Sequence, residues 1–189
     1  MQKITCLAFG VFLSVGAFAQ TWKLDKAHSQ LNWGITHNSI NTIEGGFKSF
    51  SATITSSKDD MSDAVVELTA DINSINSGVE PRDNHLKTHD FFDAATYPTL
   101  TFKSTSLKKV DDENYVMTGD LTLHGVTKSV TLNVIFNGTY TNTVNKKISA
   151  GFHISGIIKR SDFGIGSEFP ANLLGDDVSL DANTEFIKG

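Results

Sequence analysis

Residues 99–159 read TLTFKSTSLKKVDDENYVMTGDLTLHGVTKSVTLNVIFNGTYTNTVNKKISAGFHISGIIK. Apolar residues alternate here with small or polar ones, and Thr, Val, Ile and Phe are abundant. That is the period of a half-buried β-strand. The alternation predicts strands over 99–109, 115–124, 128–139 and 148–159. Turn chemistry separates them: Asp111-Asp112-Glu113-Asn114, His124-Gly125 and residues 142–147. Connections this short join antiparallel neighbours.

Outward from this run the same period predicts strands over 29–37, 45–56, 64–75 and 177–187, with a short extra strand at Thr21–Leu24. Two segments look helical. Glu80 to Phe92 carries Pro81 early, and Ser77-x-x-Glu80 has capping-box spacing. Residues 168–174 (EFPANLL) suggest one further short helical turn. The chain shows no repeat, low-complexity tail or linker. The fold class is all-β. About eight antiparallel strands can close into a barrel that holds one small ligand. They can equally form a two-sheet sandwich. The strand pattern leaves both open.

The N-terminus reads as a leader. Residues 1–19 have one basic residue, Lys3, an apolar run from Ile4 to Val15, and the small-residue pattern Ala17-Phe18-Ala19. This is the layout of a cleaved signal peptide. The run is too short and glycine-broken for a membrane span, so no stable span is expected after cleavage. The folded domain is then 20–189. Cleavage removes Lys3 and the single cysteine, Cys6; Lys plus Arg falls from 16 to 15 against 21 acids, a net charge of −6. No cysteine remains for a disulfide or thiol chemistry. A periplasmic or secreted location fits. A mildly acidic chain without a basic cluster carries no electrostatic footprint for nucleic acid.

The face that alternation turns inward includes Leu31, Trp33 and Ile35, then Val130, Leu132 and Val134, and later Phe152, Ile154, Leu180 and Phe186. Ala52, Ala64, Ala70, Ala150, Gly156 and Ala182 also fall on it. Small inward residues either leave a lumen for an apolar guest or sit opposite bulky ones in a filled core. Composition does not choose between the two.

Residues 82–98 read RDNHLKTHDFFDAATYP. His85 and His89 share a helix face at i, i+4, a spacing that metals use. The zinc-protease pattern requires Glu after the first His, and that place is Leu86. A third ligand would have to come from Asp90, His28 or His124. The expectation is therefore no metal. There is no G-x-S-x-G elbow, and no catalytic residue is assigned.

Three motifs carry a family resemblance. The first is Arg82-Asp83-x-His85-Leu86-Lys87-Thr88-x-Asp90-Phe91-Phe92-Asp93, followed by Tyr97-Pro98-x-x-x-Phe102-Lys103-Ser104. The second runs from Gly119 to Lys128, and the third is Arg160-Ser161-Asp162-Phe163-Gly164. Asp25-x-x-His28-Ser29 and the segment around Gly46-Phe47 also fit. Together they resemble the YceI-like family over nearly all of the chain beyond the leader. The resemblance implies an eight-stranded antiparallel lipocalin-like β-barrel with one short helix at its end, and a polyisoprenoid or other long amphiphilic lipid bound inside. It implies an apolar lining drawn from Trp33, Phe47, Phe91, Phe92, Phe102, Phe152 and Phe163. Its polar mouth would be Arg82, His85, Asp90, Arg160 and Asp162, with Arg160 and Asp162 either paired to brace the barrel or turned to a head group. The expected function is a periplasmic lipid carrier with no cofactor beyond its cargo and no chemistry of its own. The alternative is a lipid- or quinone-modifying enzyme using His85, Asp90 and Arg82. Closure would leave no sheet edge free, so a homodimer would need a surface patch.

Overall fold

The computed structural model describes residues 19–189. All of the expected leader except Ala19 lies outside them. The described chain forms eleven strands: β1 (Gln20–Leu24), β2 (Gln30–His37), β3 (Asn41–Phe47), β4 (Phe50–Ser56), β5 (Val65–Asp71), β6 (Ile75–Asn76), β7 (Thr99–Lys109), β8 (Asn114–Leu123), β9 (Val126–Thr141), β10 (Ile148–Lys159) and β11 (Leu174–Lys188). Eight close into an antiparallel barrel in the order β1-β4-β5-β7-β8-β9-β10-β11, and β11 returns to β1. Trp22 opposite Lys188 and Leu24 opposite Phe186 make that closure. The sandwich is excluded, because a sandwich keeps free edges and this ring has none.

The four strands predicted from the opening stretch are β7 to β10, continuous hairpins in the ring. The expected strand 45–56 divides at Lys48-Ser49 into β3 and β4. β4 pairs with β1, whereas β3 leaves the ring to pair with β2. β1 and β2 lie along the same side of β11, separated by a 3-10 turn at Lys26–His28. Asp25 caps that turn by accepting from the Ala27 amide. The wall is thereby left with a seam. The β1–β4 ladder ends at Lys23 and Thr53, and the β2–β3 ladder begins at Asn32 and Gly46. No ladder pair between these two lies in the intervening residues.

The helix is shorter than predicted: α1 spans Glu80–Leu86, and turns follow to residue 97. Pro81 sits in its first turn, but the capping box does not form. Val79 is the cap residue and makes no side-chain cap bond. Ser77 instead gives its amide and hydroxyl to the Asp83 carboxylate. Asp83 is buried, so those donors offset its desolvation. The helical turn expected over 168–174 is a series of turns leading into β11. A 3-10 turn at Arg160–Phe163 follows the end of β10; Gly164 ends it at φ 67°, the left-handed conformation glycine favours.

The two barrel ends differ. One carries the 57–64 loop. Met61 is buried there, the Tyr115 hydroxyl donates to the Asp60 carbonyl, and Lys109 reaches the Asp60 carboxylate. The other end carries the β2–β3 turn, α1 with its following turns, and the 160–173 connection. These three segments are fastened together: the Gly166 amide donates to Asp90 O, the Asn38 amide to Leu173 O, and the Ser39 hydroxyl to Asn172 O.

Candidate functional site

The strands enclose a cavity of about 450 Å³. Period-two alternation builds its wall. Leu31, Trp33 and Ile35 on β2, Val130, Leu132 and Val134 on β9, and Val178, Leu180 and Ala182 on β11 all face it. The volume lies within the ~300–1,000 Å³ of small-molecule sites. The small residues divide in two. Ala52, Ala64 and Ala182 line the cavity and leave room. Ala70 and Ala150 are fully buried and do not line it, and a Cβ on Gly156 would lie 2.5 Å from Leu132 Cδ2. The lumen thus exists, and only half of the small positions create it.

Among the residues expected to line the interior, Trp33, Phe47, Phe91, Phe92, Phe102 and Phe152 do face the cavity. Phe163 does not: it is the last residue of the 3-10 turn and is almost wholly buried, outside the lining. Its carbonyl contacts His124 Nδ1 at 2.9 Å, so its task is to seat the 160–173 connection on the β8–β9 turn.

The polar set separates as well. Arg82, His85 and Arg160 reach the cavity; Asp90 and Asp162 do not. Arg160 is buried and donates to five backbone carbonyls, of Ile165, Gly166, Phe169, Leu174 and Gly175. The expected Arg160–Asp162 pair is absent among the described residues, and Asp162 is exposed. Carbonyls of an irregular loop require donors when water is excluded, and a guanidinium supplies five in a fixed fork. Arg160 is therefore a loop brace whose donors are already taken. Arg82 is similarly engaged, donating through Nε to the Ser77 hydroxyl at 2.7 Å and through Nη2 to the Ser77 carbonyl at 2.9 Å.

His85 Nε2 lies 3.0 Å from Asp90 Oδ2, and His89 Nε2 lies 3.2 Å from Asp90 Oδ1. Both histidines thus clasp one carboxylate at the rim. The more distant candidates for a metal site are occupied elsewhere, His28 with Asp25 and His124 with the Phe163 carbonyl. The described residues contain no grouping of three or more His, Cys, Asp or Glu fit to hold a metal. The His85 ring also meets Phe91 edge-on at 5.0 Å.

Sequence reasoning missed part of the wall. Phe169 stacks on Phe91 at 5.1 Å and, with Leu173, forms the connection's side of the mouth. Leu107 and Met117 line the barrel lower down. A bulge between Ser104 and Ser106 shifts the register of β7, so the inward phase runs Phe102, Ser104, Leu107 and strict alternation loses it. The side-chain N and O atoms contain one buried member without a partner among the described residues, Trp33 Nε1. Such a donor costs about 1–3 kcal/mol.

Known proteins share this architecture. A family model described as the YceI-like domain matches residues 22–186. Protein YceI of Salmonella newport is 38% identical over 164 residues, covering 86% of this chain and 85% of its own. A crystal structure of the Campylobacter jejuni YCEI protein superimposes with a TM-score of 0.73 at 36% identity, covering 79% of this chain and 87% of its own. A polyisoprenoid binding domain from Saccharophagus degradans shares the fold, with a TM-score of 0.64 at 22% identity over 89% of this chain and 98% of its own. On the extent of these matches, the chain belongs to the YceI-like family.

Proposed function

We propose that this protein is a periplasmic carrier that holds a long-chain isoprenoid or similar amphiphilic lipid inside its barrel and performs no chemistry on it. The observation that carries the reading is the enclosed, almost wholly apolar cavity of about 450 Å³. Burial of a methylene contributes roughly 0.8 kcal/mol. Ten methylenes of a tail therefore contribute about 8 kcal/mol before ordering costs, enough for firm binding with few polar contacts. Family membership supports the reading, as does the Saccharophagus degradans domain of the same fold, described as polyisoprenoid binding. The leader-like N-terminus supports export, and no helix among the described residues is long and apolar enough to cross a membrane. The cargo is the only small molecule the reading needs.

The test is organic extraction of the exported protein followed by mass spectrometry, together with uptake of isoprenoid quinones and fatty amides by delipidated protein. A stoichiometric long-chain lipid is expected. No extracted lipid and no uptake would overturn the reading.

One observation favours the enzymatic alternative: His85 and Asp90 are paired as a base and its orienting carboxylate. Arg82, the third actor, is directed to Ser77 instead. A His85→Ala variant that retains binding but abolishes turnover of a bound quinone or lipid would establish this alternative, and an unchanged product profile would remove it.

A further inference from the structure

Ile40 is the tip of the β2–β3 turn, and its side chain is 87% exposed. Asn38 and Ser39 before it stand at φ 52° and 57°, left-handed values that cost residues other than glycine energy. The neighbouring connection holds the turn in this shape. The Asn38 amide donates to Leu173 O at 2.8 Å and the Ser39 hydroxyl to Asn172 O at 3.1 Å. Leu173 is itself 39% exposed, and Pro170 and Ala171 near it are exposed as well. This apolar edge is continuous with the lumen: His37 and Ile43, on either side of the tip, line the cavity, as do Phe169 and Leu173.

Single exposed apolar residues are ordinary, and the end carrying the 57–64 loop has them too: Val144 there is 89% exposed. The two ends differ in the charges around these residues. The turns 57–64, 110–113 and 142–147 contain six acids and three lysines. Residues 37–43 and 169–174 contain no Asp, Glu, Lys or Arg. Carrying a charge into a bilayer is costly, so only the edge around Ile40 and Leu173 exchanges water for hydrocarbon readily. The other side of the mouth bears Lys87, Asp90 and Asp93, which makes such a contact one-sided.

We infer that Ile40, with Leu173 and the Pro170-Ala171 step, is a docking edge for a phospholipid bilayer, which it enters shallowly so that cargo passes between membrane and lumen without crossing water. The inference rests on the carrier reading and adds where loading and unloading take place. The hydrophobic effect that fills the barrel also makes a long-chain lipid scarce as a free monomer in water. A mouth set against the bilayer bypasses that scarce species. Membrane hold scales with the apolar area buried, and an edge of a few side chains gives the weak, reversible contact that delivery requires.

The experiment mixes delipidated protein with excess phosphatidylcholine vesicles doped in turn with an isoprenoid quinone and a fatty amide, and follows the rate of uptake against vesicle concentration. Transfer by contact accelerates as vesicles are added. Transfer through free monomer is set by escape from the bilayer and does not. The expected result is acceleration. Ile40→Ser should slow the transfer roughly tenfold, at a factor of about four for each methylene withdrawn from the bilayer. Its thermal midpoint and its equilibrium uptake of lipid added in ethanol should match the parent's, because Ile40 does not line the cavity. Val144→Ser, equally exposed at the other end, should transfer as the parent does. A rate independent of vesicle concentration, an Ile40→Ser variant as fast as the parent, or a Val144→Ser variant as slow as Ile40→Ser would overturn the inference. Each would leave the carrier reading intact and assign the edge to a protein partner instead. Failure to take up either lipid, from vesicles or from ethanol, would overturn the carrier reading and the inference with it.

Discussion

Phe102 of β7 lies across Gly119 of β8, in the place where a side chain at residue 119 would stand. A Cβ at 119 would overlap the edge of the ring and come within 2.6 Å of the Lys103 carbonyl. The ring can rotate away, but the carbonyl belongs to the ladder and cannot. Phe102 also lines the cavity. Gly119→Ala should therefore cost roughly 1–3 kcal/mol as overpacking does, and it should reshape the lumen wall. Urea unfolding measures the first effect and probe uptake the second; a variant as stable as the parent would show that β8 can yield at this point.

Arg160 should be among the most costly residues to replace. Its five carbonyl partners come from residues 165 to 175, so one side chain orders the whole connection leading into β11. Arg160→Met leaves those carbonyls without a donor, at about 1–3 kcal/mol for each one that water cannot reach. The expected result is a fall in thermal midpoint and faster hydrogen exchange confined to 165–175. Arg160→Lys should recover only part of the loss, since an ammonium offers three donors on one nitrogen. Complete rescue by Lys would argue against the fork geometry.

The opposite end should be acid-sensitive. Burial pushes the Asp63 carboxyl up, but hydrogen bonds from the Ser56 and Ser57 hydroxyls and the Ser57 and Lys58 amides more than reverse this, leaving it well below the usual 3.8. A carboxyl that titrates lower in the folded state stabilises the fold fully above about pH 5 and loses that contribution as the pH falls toward its folded value. Asp63→Asn should thus be less stable than the parent at pH 7, with the gap narrowing by pH 2.5. Denaturant midpoints at the two pH values check it, and a gap of constant size would contradict the assignment.

Filling the lumen should separate binding from folding. Ala52 and Ala182 both line the cavity, and leucine at both adds bulk where there is space. The double variant Ala52→Leu/Ala182→Leu should keep its thermal midpoint to within a few degrees while losing most of its uptake of long-chain lipid. Undiminished uptake would place the cargo somewhere other than the barrel interior.

What could be read from the sequence followed from local chemistry. The hairpins of β7 to β10 were legible because alternation and turn residues coincide there, and Leu132, Val134 and Ile154 were rightly turned inward for that reason. The division of 45–56 at Lys48-Ser49 was not, because it arises from a change of partner strand rather than from a residue that breaks strands. Leu107 escaped notice because the bulge near Ser104 shifts the phase of alternation on β7, whereas Met117 is in phase with Leu121 and Leu123 on β8 and was legible by alternation. Ser77 was misassigned for a related reason: spacing alone fits a cap to Glu80, whereas the buried Asp83 offers its donors a stronger, charged acceptor. The motif puts Arg160 at the polar mouth and Phe163 in the apolar lining, and only the course of the 160–173 connection shows that one braces it and the other anchors it.

The pairing of β1 with the end of β11 sets a condition on how the molecule is made. Trp22 and Lys188 are partners from opposite ends of the chain, so this contact closes one of the longest loops available to the polypeptide. Pairings that distant form late and slowly. Until the last strand docks, β1 and β11 both present raw edges, and the greasy interior is open to any neighbouring chain. Trimming the final few residues would therefore do more than shorten a strand: it would unfasten β1 from the ring and bare its edge, while β2 keeps its hold on the rest of β11.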